Sequence, residues 1–362
     1  MKLALIRRRF SATGGAELYL QRLLDALLRA GHEPHLYTEA WDSPPEGLHV
    51  HAIESNAPRA RRLPAFAEAV QAALNNHGDY DCVFSLERTL QQDVYRAGDG
   101  LHRVWLHQRR RYAPWFRKPF VAAGAFHRNL LTLEAHTFDP ANTGRIIVNS
   151  EMVRGEILAH FPFPESRIHL VRNGVDLDRI RGGRRRETRA RFGFHDEEFV
   201  LLFVGSGWER KGLDYFLQAY RRLAPTNVRA LIVGKGKKPL FPPAGAVFAG
   251  GMADVENAYA AADLLVLPPI YEPSSNVVAE ALAVDLPVVT TCFNGAAELL
   301  RDGKTGTVIS DPADTVQLVH AVERWHARRG QSETTPDHEL SLERNVNETL
   351  EILELAAAEK KR

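Results

Sequence analysis

Residues 268 to 282 read PPIYEPSSNVVAEAL and set two carboxylates, Glu272 and Glu280, around a small polar turn of Pro273, Ser274, Ser275 and Asn276. An apolar run, Leu264-Leu265-Val266-Leu267, leads into the stretch, and the apolar residues around Glu280 should form a helix. Open α/β sheets bind ligands beyond the carboxyl ends of their strands. Anions favour helix N-termini, where free N–H groups and the dipole point outward. The loop therefore suits a phosphate near its amides and hydroxyls near its carboxylates, as a sugar nucleotide offers. Glu280 can accept two hydrogen bonds from vicinal hydroxyls such as those of a ribose. Glu272, one loop earlier, should stand nearer the diphosphate and hold hydroxyls of a hexose.

Arg210 and Lys211 follow a strand-like run, Phe199 to Val204, and the turn Gly205-Ser206-Gly207. Two cations at that point can grip a diphosphate and neutralise the charge that grows on it as it leaves. Alone, the pair reads equally well as surface; with Glu280 and the Gly205 turn, the diphosphate reading gains. A carboxylate pair also suits glycosidase chemistry, but a hydrolase of neutral glycosides has no need of the adjoining cations. Further strand ends carry Gly234-Lys235-Gly236 and Gly250-Gly251-Met252. Near the start, Gly14-Gly15 separates a strand from a helix. It is either a tight turn or a place where a ligand meets the backbone, and it lacks the G-x-G-x-x-G dinucleotide pattern. Asp79 and Asp81 share a D-x-D spacing at the entrance of a strand, the end away from ligands, and read as solvated turn residues.

The elements that position these residues form two doubly wound sheets. Lys2 to Ile6, an amphipathic helix from Leu18 to Arg29 closed by Gly31, and a strand from His35 make a strand–loop–helix–strand unit. The same alternation resumes at Phe199. The reading is a first domain of 1–165 joined by a C-terminal helix of 342–362, and a second of 166–341. The linker is placed between Pro162 and Asn173.

With 362 residues the chain has room for two ordinary cores. A formal net charge of +1 argues for neither a nucleic-acid nor an acidic partner. The two cysteines, Cys82 and Cys292, read as buried free thiols, with no support for a disulfide framework or zinc site. No secretory signal and no membrane-spanning run is visible, so the expected location is the cytoplasm. Nothing in the pattern calls for an oligomer, and a monomer is expected.

Residues 102 to 138 concentrate Arg103, Arg109, Arg110, Arg111, Arg117, Lys118 and Arg128 among Trp105, Tyr112, Trp115, Phe116, Phe120 and Phe126. Such a mixture suits an anionic membrane surface, a groove for a phosphorylated acceptor or single-stranded nucleic acid, or a solvated hairpin with aromatics packed inward. The surrounding context favours the membrane or anionic acceptor.

Gly14-Gly15, Asn173-Gly174-Val175-Asp176, Arg210-Lys211-Gly212 and Glu272-x7-Glu280, in that order across nearly the whole chain, resemble glycosyltransferase family 4. Gly205-Ser206 ahead of Arg210-Lys211-Gly212-Leu213-Asp214, Asp93-Val94-Tyr95 with Asp99, and the basic-aromatic segment resemble its members that glucosylate the lipopolysaccharide core. The resemblance implies the GT-B fold, an α/β pair of facing Rossmann-like domains whose last helix crosses back to the first. It implies retention of anomeric configuration, a nucleotide-sugar donor (UDP-glucose expected), no metal or other cofactor, and an anionic glycolipid acceptor at a membrane. Arg210 and Lys211 would then bind the diphosphate and Glu280 the ribose. Glu272 with the amides of Ser275, Asn276 and Val277 would hold the sugar and distal phosphate, and Gly15 a phosphate. Lys235, Gly251 and Met252 would cradle the base beside Gly205. The leaving phosphate takes the acceptor proton in this scheme, and Asp99 and His107 are candidates for orienting the acceptor or handling a proton. Where many relatives have a glycine after the first glutamate, this chain has Pro273-Ser274-Ser275-Asn276.

Overall fold

The structure is a computed structural model that describes residues 1–9, 15–41, 46–223 and 227–361. Gly14 of the first glycine pair lies outside the described residues. The chain divides into two compact units, Met1–Arg172 with Asn345–Arg362, and Asn173–Arg344. The division falls at Arg172–Asn173, inside the Pro162–Asn173 segment read as the linker.

The first unit holds strands β1 (Lys2–Ile6), β2 (Glu33–Thr38), β3 (His49–Ala52), β4 (Cys82–Ser85), β5 (Gln92–Arg96), β6 (Thr143–Val148) and β7 (Ile168–Leu170). They form one sheet in the order β3-β2-β1-β4-β5-β6-β7, every pair parallel. Helices α1 (Gly15–Arg29), α2 (Arg62–His77), α3 (His102–Tyr112), α4 (Ala125–Thr137) and α5 (Glu151–His160) lie between the strands in sequence. A parallel sheet covered on both faces needs strands apolar on both sides, and Leu3 to Ile6 of β1 are fully buried. Leu20, Leu23, Leu24 and Leu27 recur at helical spacing on α1 and are fully buried.

The second unit repeats the plan. It begins with α6 (Leu177–Ile180) and α7 (Arg185–Phe192), followed by β8 (Phe199–Val204), α8 (Trp208–Lys211), α9 (Leu213–Tyr220), β9 (Val228–Val233) and β10 (Ala246–Gly250). Then come α10 (Val255–Ala261), β11 (Leu264–Leu267), α11 (Asn276–Leu282), β12 (Val288–Thr291), β13 (Gly306–Ile309) and α12 (Thr315–Ala327). The sheet order is β10-β9-β8-β11-β12-β13, again all parallel. Direction of winding reverses between β8 and β11, and a crevice outside the strand ends at such a reversal is where ligands bind.

After α13 (Asp337–Leu340) comes α14 (Leu342–Lys360), which no strand follows. From Asn345 onward it belongs to the first unit. Leu353 is fully buried there, the Tyr19 hydroxyl donates to Thr349 Oγ1 at 3.3 Å, and Arg145 pairs with Glu359. Cys82 is buried as expected, but Cys292 is exposed. It stands one residue beyond β12, past the apolar strand that suggested burial. No described helix is long and apolar enough to cross a membrane.

Candidate active site

The cations are placed by glycines. Gly205 ends β8 with φ 140°, and a Cβ there would lie 2.4 Å from Cδ of Lys211. Gly212 closes α8 with φ 78°, and a Cβ there would lie 1.8 Å from the carbonyl oxygen of Pro268. Only glycine lets the turn after β8 lie against the loop after β11. Ile270 N–H then donates to the Arg210 carbonyl at 2.9 Å. The loops on the two sides of the sheet's reversal are thus locked together, and Arg210 and Lys211 come alongside Glu272.

Glu272 is nearly buried, at 7% exposure, between the two cations. Lys211 Nζ is 3.2 Å and Arg210 Nη2 3.3 Å from its Oε2. Both are ion-pair distances, while the in-line hydrogen bond from Arg210 goes to Oε1 at 3.4 Å. The Glu272 backbone is fixed too: its N–H donates to Phe293 O at 2.8 Å and its carbonyl accepts from Gly295 N–H at 2.9 Å. Two like charges held side by side without an anion would repel. Glu272 supplies that anion and leaves the cluster one positive charge, enough to attract a diphosphate to the partly exposed guanidinium.

The turn after Glu272 differs from the expected phosphate cradle in one respect. Ser275 N–H is already given to Asn294 Oδ1 at 3.2 Å, so it is not free for a phosphate. Asn294 also accepts from Ala296 N–H at 3.1 Å and donates to Thr290 Oγ1 at 3.0 Å, which makes it the clamp of the turn. The amides of Asn276 and Val277 open α11 and, as first-turn amides, have no intrahelical acceptor. Asn173 Nδ2 donates to Ser274 O at 3.2 Å and to Asn276 Oδ1 at 2.7 Å. The junction motif thereby fixes the start of the helix.

Glu280 lies one turn into α11, and the Tyr259 hydroxyl donates to its Oε2 at 2.5 Å. Burial pushes the Glu280 pKa up, while the Tyr259 bond and the charges of Arg179 and Lys211 pull against that shift. On the other flank of β8, Lys235 N–H donates to Ser206 Oγ at 3.0 Å and Gly234 N–H to Gly250 O at 2.7 Å. A Cβ on Gly251 would lie 3.2 Å from Lys235 Cε. The Trp208 ring covers Gly236, where a Cβ would come within 2.5 Å, and its Nε1–H donates to Gly205 O at 2.9 Å. Met252 is half-buried against the core. The second unit therefore gathers Gly205, Arg210, Lys211, Lys235, Gly251, Glu272 and Glu280 along the carboxyl edge of its sheet. Sequence reasoning missed Trp208, Tyr259 and Asn294. Trp208 directly follows Gly207 and Asn294 directly precedes Gly295, which was a usable signal; Tyr259, 21 positions from Glu280, gave none.

In the first unit Gly15 opens α1. Asp99 is exposed after β5, and His107 is exposed on α3. Among the described residues neither side chain makes a hydrogen bond or ion pair with the other. The start of α3 is held by the fully buried Glu134 of α4, which accepts from the N–H groups of His102 and Arg103 and pairs with Arg88 at 3.3 Å. Beyond α3, Trp115, Phe116 and Phe120 are 83%, 54% and 72% exposed. The hairpin does not pack these rings inward, and Arg117 and Lys118 are exposed among them.

Two family models match in succession: one described as Glycosyltransferase Family 4 over residues 13–179, and one described as Glycosyl transferases group 1 over 198–328. The lipopolysaccharide glucosyltransferase WaaG of Escherichia coli K12 is 25% identical over 323 residues, 84% of each chain. A D-inositol 3-phosphate glycosyltransferase of Mycobacterium sp. strain KMS is 31% identical over 203 residues, 51% of this chain and 45% of the relative. Among solved structures, that of WaaG superposes with a TM-score of 0.77 at 23% identity, covering 98% of both chains. Anabaena HepE in complex with UDP and glucose gives 0.71 at 17%, covering 98% and 99%. Both share the fold, two Rossmann-like α/β units of the GT-B type. With family matches running in tandem through both units, the chain belongs to glycosyltransferase family 4.

Proposed function

We propose that the chain transfers a hexose, glucose from UDP-glucose, with retention of configuration to a lipopolysaccharide-core or related anionic glycolipid. The observation that carries this reading is the Arg210–Lys211–Glu272 cluster at the reversal of the second sheet. Arg210 and Lys211 neutralise the diphosphate as the glycosyl bond breaks. The Asn276 and Val277 amides and Glu272 hold the distal phosphate and sugar, Glu280 the ribose, and Lys235, Gly251 and Met252 the base. The leaving phosphate accepts the acceptor's proton, so the reaction needs neither an enzymic nucleophile nor a metal. Asp99 and His107 orient the acceptor. The basic residues and exposed rings of 102–138 rest on an anionic membrane from the cytoplasmic side, each cation contributing on the order of 1 kcal/mol. The relatives named above include one for lipopolysaccharide and one for an inositol phosphate; both acceptors are anionic, and both belong in the assay.

Arg210→Ala and Glu280→Ala should each abolish transfer from UDP-glucose while circular dichroism stays native. Undiminished transfer by both variants would remove the site assignment. Product anomers read by NMR test retention. For the membrane, replacing Trp115, Phe116 and Phe120 by serine should release the protein from vesicles containing phosphatidylglycerol, and equal binding returns the segment to a solvated hairpin.

A further inference from the structure

Glu33 and His35 stand two residues apart on β2, so their side chains leave the same face of the sheet. β3 pairs in parallel with β2, with His49 opposite His35, which puts His49 and His51 on that face too. One donor atom each from Glu33, His35 and His49 lie within 4.8 Å of one another. His35 is buried, whereas Glu33 and His49 are exposed. The group is anchored at one corner and open to solvent at the other two.

The hydrogen bonds around His35 narrow the reading. Its Nδ1 is 2.9 Å from His51 Nε2, and its Nε2 is 2.9 Å from Glu33 Oε1. If Nδ1–H donates to His51, a neutral His35 turns its Nε2 lone pair toward the Glu33 carboxylate, an arrangement that a bound cation or a second ring proton would relieve. A ligating imidazole commonly has this form, one nitrogen on the metal and the other N–H tied to a neighbour. The alternative is a metal-free relay in which His51 donates to His35 and His35 donates to Glu33. That relay gives His49 no part. His49 is nevertheless drawn in: its ring stacks on His35, with centroids 4.5 Å apart and planes at 18°, and a donor atom of it lies within 4.8 Å of those of Glu33 and His35. The cation of the adjoining strand, Lys2, is turned over the Tyr80 ring at 4.9 Å.

We propose that Glu33, His35 and His49 bind a divalent transition-metal ion of the zinc class, with His51 orienting His35 and water completing the shell. Two imidazoles and one carboxylate suit zinc, whose bonds to nitrogen and oxygen run at about 2.0–2.2 Å; magnesium and calcium prefer all-oxygen sets. The exposed Glu33 and His49 close the remaining gap by side-chain rotation. Glu33 and His49 begin β2 and β3, at the amino edge of the sheet and away from the carboxyl edge where ligands bind in such folds. The ion therefore ties the edge strand β3 to β2 and has no part in sugar transfer.

The test uses the full-length, untagged chain, stripped with chelator and titrated with ZnCl2 by calorimetry at pH 7.5, with MgCl2 as control. The expected result is one equivalent of zinc bound at micromolar Kd or tighter, a raised Tm, and no response to magnesium. Glu33→Gln and His49→Gln alter exposed side chains and should keep the fold, yet each should weaken zinc binding at least tenfold and abolish the Tm shift. UDP binding should be the same with and without zinc. Absence of stoichiometric binding, or equal binding by wild type and the Glu33→Gln/His49→Gln double variant, overturns the proposal.

Discussion

Glu280 is where burial and charge conflict most directly. Its side chain is half-buried, and burial is the largest influence on its pKa, which lies above the ordinary value of 4.5. The folded protein thus holds this proton more tightly than the unfolded chain does. Stability from this group is fully present below about pH 4.5 and is lost as pH rises through the higher folded value. Glu280→Gln removes that loss, and the Tyr259 hydroxyl can still donate to the amide oxygen. The variant should be at least as stable as wild type at pH 7.5, with a flatter dependence of urea midpoint on pH. Its KM for the nucleotide sugar should nevertheless rise tenfold or more, since a hydrogen bond to a charged group contributes roughly 1.5–3 kcal/mol. An unchanged KM would take Glu280 out of the donor site, whereas a loss of stability would contradict the burial argument.

At the scale of elements, the loop after β11 depends on a residue beyond β12. Asn294 joins the Ser275 and Ala296 amides to Thr290, and its own backbone forms an isolated bridge with Glu272. Asn294→Ala should destabilise the second unit by about 1–3 kcal/mol, the cost of buried polar groups left unpaired. It should also lower kcat more than it changes Arg210-dependent UDP binding, because the side-chain anchor of the Ser275 turn is lost while the cations and the backbone bonds of Glu272 remain. Equal losses in binding and turnover would show a purely structural role. This clamp also marks the limit of sequence reading. The strands were legible because buried parallel strands must be apolar throughout, as in the fully apolar β8. Gly205 and Gly212 were legible as turns, and Arg210 with Glu272 as a charged set, since each lies within a short local pattern. The occupied Ser275 amide, the Tyr259–Glu280 bond and the exposure of Cys292 were not, because each depends on where a second element comes to rest. The histidine patch is the same case: His35 and His49 are 14 positions apart, and only the register of β2 with β3 joins them.

For the whole molecule, the division into two units makes α14 a test of cooperativity. Its first residues belong to the second unit and the rest to the first, so the helix is shared by sequence while its apolar face is committed to one core. Leu353 is fully buried in the first unit, with Ile352, Ala356 and Ala357 buried beside it. Leu353→Ala should cost about 2–5 kcal/mol, the transfer term plus the cavity left behind. UDP acts on the opposite part: apart from the phosphate contact expected of Gly15, its proposed contacts lie in the second unit, and binding raises stability by roughly 2.7 kcal/mol at a hundred times Kd. If the units unfold separately, calorimetry should show two transitions, Leu353→Ala lowering only one and UDP raising only the other. A single transition that moves with both would mean that α14 couples the units into one cooperative body, since it is the helix that both of them share.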